Sequence, residues 1–91
     1  MSHIDEDATV EPPELTALAT LPKSIGSAIS YAHRGTVYWL SPVASDRWVV
    51  GKGGSNETVA FLAKQHPARF TLEGPGVLAA GESWLLLLAR L

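Results

Sequence analysis

The glycine-rich stretch Gly51-Lys52-Gly53-Gly54-Ser55 is the first place to look for chemistry, because backbone N–H groups in such a turn can cradle an anion. A nucleotide-binding loop needs Gly, four further residues, then Gly-Lys and Ser or Thr. Here Gly53 follows Lys52 and no earlier Gly stands at the right distance, so the stretch reads as a loop. His3, His33 and His66 are far apart, and none forms a ligand pair such as two His four residues apart on a helix. His33 reads as a turn residue, and His66, just before Pro67, as a helix-end residue facing the negative end of the dipole. Ser83 sits in Gly81-Glu82-Ser83-Trp84-Leu85, which lacks the closing Gly of a nucleophile elbow. These residues assign no catalytic, cofactor-binding or metal site, and the expectation is a non-enzyme that carries no cofactor.

Charge is uneven. Asp5, Glu6, Asp7, Glu11 and Glu14 stand in the first fourteen residues with no Lys or Arg among them. Like charges there would have no fixed geometry in which to pair for acid-base work. Beyond residue 14, Lys23, Arg34, Arg47, Lys52, Lys64, Arg69 and Arg90 face only Asp46, Glu57, Glu73 and Glu82. A mildly basic body with three Trp raises the question of nucleic acid, but a dedicated binder carries a denser basic stripe, and the acidic segment would compete with phosphates. Nucleic acid is therefore not the expected partner. Tryptophans in such a setting serve as core or interface anchors.

The elements that hold these residues must come from one small domain. The chain has 91 residues, 46% of them hydrophobic and 18% charged, which is enough apolar material for one core. With no Cys there are no disulfide staples, so packing or a partner must supply the stability. No apolar run approaches the ~20 residues that span a bilayer, and the acidic N-terminus is unlike a signal peptide. The expected setting is intracellular or a virion, without a membrane.

Residues 1–14 read as a flexible acidic arm ended by Pro12 and Pro13, and residues 15–91 as a single β-rich domain. Leu15, Leu18 and Leu21 are spaced for two helical turns that Pro22 would end. From Ser27 to Ser41, strand-like runs flank Arg34-Gly35, which predicts a hairpin; with these two as the loop, His33 stands opposite Thr36, Tyr31 opposite Tyr38 and Ile29 opposite Leu40, and a longer loop with a shifted register is the alternative, since Arg-Gly is a weaker turn than Asn-Gly. Trp48-Val49-Val50 predicts a third strand. Asn56 to His66 fits two patterns: Val59, Leu62, Ala63 and His66 have helical spacing behind a Ser55/Asn56 cap, and Thr58 to Leu62 fits a strand. The helix is the preferred reading. Phe70 and Leu72 alternate with polar neighbours in a further strand, and Val77 to Ala80 reads as another.

Trp84 to Leu91 follows the turn Gly81-Glu82-Ser83 and is read as a last strand, with Trp84, Leu86 and Leu88 on one face and Leu85, Leu87 and Ala89 on the other. A helix starting near Ser83 is its rival, since Leu favours helices. Either way the segment is apolar on nearly all sides and needs cover. Trp39, Trp84, Leu85, Leu86, Leu87 and Leu88 are therefore the candidate interface residues.

The closing stretch Gly76-Val77-Leu78-Ala79-Ala80-Gly81-Glu82-Ser83-Trp84-Leu85-Leu86-Leu87 resembles the last strand pair of small β-sandwich modules of phage virion proteins, the fibre and capsid-decoration modules. The resemblance implies a structural role, with repeated copies binding a virion surface or one another. Together these readings predict a mainly β fold, a small antiparallel β-sandwich or barrel with room for one helix, and an α+β arrangement as the alternative. The expected function is a non-enzymatic structural or interaction module that self-associates in a virion or other assembly and binds a protein or its own copies. The alternative is a small intracellular inhibitor or regulator that binds a nucleic-acid-handling enzyme.

Overall fold

Period-two alternation of apolar residues organises most of the chain into strands. The computed structural model describes residues 12–54, 57–66 and 68–91; most of the acidic arm, and the cap residues Ser55 and Asn56, lie outside them. Six strands follow one another: β1 (Ile29–His33), β2 (Thr36–Ala44), β3 (Arg47–Lys52), β4 (Thr58–His66), β5 (Arg69–Gly74) and β6 (Val77–Gly81). They form one antiparallel sheet in sequence order, and helix α1 (Trp84–Leu88) completes a mainly β fold. No helix among the described residues is long and apolar enough to cross a membrane.

The β1–β2 hairpin has the predicted register, with Ile29 opposite Leu40, Tyr31 opposite Tyr38 and His33 opposite Thr36. Arg34 and Gly35 form its turn at φ 54° and 80°, the left-handed pair that matches the twist of a two-residue hairpin. One face of the sheet is inward. Tyr31, Leu40, Trp48, Val50, Ala60, Leu62, Phe70 and Leu72 are all buried on it. Tyr31 and Tyr38 stack there, with ring centroids 5.5 Å apart.

The helix preferred for Asn56 to His66 is corrected over its described residues: Thr58–His66 is strand β4, paired with β3 on one side and β5 on the other. The local helical spacing is overridden because β3 and β5 each need a partner. In the strand, Ala60 and Leu62 turn inward and Phe61 outward. The opposite correction applies to Trp84–Leu91: it is not a last strand. The side chain of Ser83 accepts a hydrogen bond from the N–H of Leu86 at 3.2 Å and caps α1. The last third of the stretch Gly76–Leu87, read above as the second strand of a pair, is thus helical. Helical spacing turns Leu87 and Leu88 into the core and leaves Leu86 outside.

The two helical turns expected around Leu15–Leu21 reduce to one 3-10 turn, Leu15–Ala17, with Leu15 and Leu21 buried. Just before it, Pro13 accepts a hydrogen bond from the N–H of Ala32 at 2.8 Å, and Glu14 runs parallel beside Ala32. The end of the acidic segment therefore covers the free edge of β1. The 3-10 turn touches β1 and α1, and α1 touches β5 and β6. The sheet curls around its core, and these two short segments close the gap between its first and last strands.

Candidate interaction surfaces

Strand alternation also defines an outer face. One row across it runs Ser41, Val49, Phe61, Glu73 and Leu78; the next runs Arg47, Ala63, Thr71 and Ala80. Phe61 is 56% exposed, and Leu78, Val43 and Val37 are exposed with it. A shallow groove of about 400 Å³ runs between Val43, Arg47, Val49, Phe61, Thr71 and Glu73. Trp39 belongs to this face as well. It stands opposite Gly51, and its indole lies on the bare backbone there, where any side chain at Gly51 would overlap the ring. The glycine permits that close approach.

A second concavity, of about 370 Å³, opens at one mouth of the curled sheet, where Leu21, Trp48, Phe70 and Trp84 form an apolar wall. Trp48 is fixed at both ends: its Nε1–H donates to the carbonyl of Pro22 at 2.6 Å, and its rings meet Phe70 with centroids 6.4 Å apart. Lys23 and Lys64 line the same cleft. Lys64 follows Ala60 and Leu62 at the inward parity of β4, opposite Phe70, and is exposed at the cleft. Lys23 follows the Pro22 carbonyl that holds Trp48.

The candidate interface residues fall in separate places. Trp39 lies on the outer face, half buried; Trp84 borders the cleft; Leu85 is half buried against the core. Leu86 is 68% exposed on the solvent side of α1, whereas Leu87 and Leu88 are within the chain's own core. The segment thus finds most of its cover inside its own chain. Phe61 escaped the sequence reading because a helix hides its outward parity. Lys23, Lys64, Trp48 and Phe70 meet only through the curl of the sheet, which no local spacing reveals.

Two polar groups near the closure have structural parts. His33 Nε2 donates to the carbonyl of Ala89 at 3.0 Å and ties the end of α1 to the first hairpin. The Tyr31 hydroxyl is buried with no hydrogen-bond partner among the described residues. Burial, and secondarily the neighbouring Tyr38, pushes its pKa far above the ordinary phenol value. Among the described residues no three His, Asp or Glu side chains come together as a metal site would need. Compared with protein-family models, curated proteins and solved structures, the chain matches none.

Proposed function

We propose that the chain is a non-enzymatic interaction module that associates with a second copy of itself through the outer face of its sheet. The observation that supports this reading is the exposed Phe61 of β4 in a groove that also carries opposite charges on the two neighbouring strands, Arg47 on β3 and Glu73 on β5. In the strand register Arg47 lies level with Ala63 and Glu73 level with Phe61, so the two charges sit diagonally about β4. A two-fold axis lying between two facing copies, over β4 and perpendicular to that diagonal, sets Arg47 of each copy over Glu73 of the other. Two Phe61 rings then meet near the axis. The surface is complementary to itself, as an isologous dimer requires. A module that pairs in this way suits a part used in repeated copies, which is also what the resemblance to virion modules implies.

Sedimentation velocity over a concentration series tests the proposal. The chain should self-associate, Phe61→Lys should give a folded monomer, and Arg47→Glu should weaken association. The swapped pair Arg47→Glu with Glu73→Arg should restore it, because the attraction depends on the pairing and not on either sign. A native chain that stays monomeric up to millimolar concentration, or a swapped variant no better than Arg47→Glu alone, would overturn the reading.

A further inference from the structure

We infer that the cleft bounded by Trp48, Phe70, Trp84, Lys23 and Lys64 is a binding site for a small organic carboxylate with a flat apolar body. The inference does not depend on pairing through the outer face, which lies on the other side of the sheet. Three aromatic residues gather at one mouth of the fold, and Trp48 is held in place by Pro22 and Phe70, so the wall is formed before any ligand arrives. A volume of about 370 Å³ is that of a small-molecule site. Its two charged lining residues are both cations, Lys23 from the segment before β1 and Lys64 from β4. No carboxylate lines the cleft among the described residues.

Those features select the ligand. An apolar body on the indole and phenyl rings leaves water at low cost, and two ammonium groups at the rim favour one negative charge at its end. A neutral ligand of the same shape would gain the apolar contact only. A cation would meet like charge. Because both lysines are exposed, their attraction for the carboxylate is that of surface ion pairs, worth about a fivefold gain in affinity over an uncharged isostere and weakened by salt.

The test uses the full chain and two probes, 4-phenylbutyrate and its neutral amide, 4-phenylbutyramide, followed by NMR of the three indole N–H signals. The acid should shift Trp48 and Trp84 saturably and leave Trp39, on the outer face, in place. The amide should bind about fivefold more weakly. In the variant Lys23→Gln with Lys64→Gln the two probes should bind alike, with the thermal midpoint unchanged. Equal binding of acid and amide to the native chain would overturn the inference. So would shifts shared by Trp39, an acid preference that survives loss of both lysines, or no saturable shift at millimolar probe. Self-association measured on the same samples reports separately on the outer face.

Discussion

Replacing Gly51 with Ala should destabilise the chain through a residue on the neighbouring strand. A Cβ at Gly51 would overlap the Trp39 ring atoms Cζ2 and Cε2, so the indole must leave the surface it covers. Fully buried, a Trp removes roughly 150–250 Å² from water. Losing about half of that, ~100 Å² at ~25 cal/mol per Å², costs about 2.5 kcal/mol. Gly51 does not have positive φ, so Ala fits the backbone there and recovers about 0.5–1 kcal/mol of conformational entropy. The net loss expected from Gly51→Ala is about 1.5–2 kcal/mol. In a Trp39→Ala background the obstacle is gone, and the same substitution should stabilise by about 0.5–1 kcal/mol. Urea unfolding of the four proteins closes the double-mutant cycle, with a coupling of about 2.5 kcal/mol and unchanged m-values. A coupling under about 0.5 kcal/mol would refute the packing of the indole on Gly51.

Three other outcomes follow from the same reasoning. Arg34→Asn should stabilise by about 0.5–1 kcal/mol in chemical denaturation, since Asn tolerates the left-handed backbone that Arg34 adopts at φ 54°. Leu86→Lys should keep the unfolding free energy within roughly 0.5 kcal/mol of native, whereas Leu88→Ala should cost about 2–5 kcal/mol, because Leu86 is exposed and Leu88 is inside the core. Tyr31→Phe should gain about 1 kcal/mol at neutral pH by removing a buried hydroxyl that has no hydrogen-bond partner among the described residues. The folded chain holds the Tyr31 proton to higher pH than the unfolded chain does. Stability is therefore intact below pH ~10 and falls as pH rises beyond it, by up to about 1.4 kcal/mol per pH unit, and Tyr31→Phe should lack that loss.

What was legible in the sequence depended on how local its cause was. The first hairpin was readable because its turn and its two strands lie within sixteen residues, and a two-residue turn at Arg34-Gly35 fixes the register that the strands adopt. Thr58–His66 was not, because a strand flanked on both sides takes its conformation from β3 and β5, and Val59, Leu62 and Ala63 satisfy helical spacing by coincidence. At the C-terminus four consecutive Leu erase the periodicity that separates strand from helix. The helix propensity of Leu and the Ser83 cap were the local signs that favoured the helix. The candidate surfaces were less legible still. Trp39 and Trp84 stood out by residue type, but Phe61 needed the right parity, and the lysine-rimmed cleft needed the closed fold.

The closure of the curled sheet has a consequence for connectivity. Each strand pairs with its neighbours in sequence, and the 3-10 turn near the start of the domain touches α1 near its end, so the elements follow one another around a cycle. A cycle has no privileged first member. A circular permutant that joins Leu91 to Pro12 through a flexible linker and opens between Arg34 and Gly35 should keep the strand pairings, exchanging one two-residue turn for a new pair of ends. The architecture belongs to the ring of neighbours more than to the place where the chain enters it.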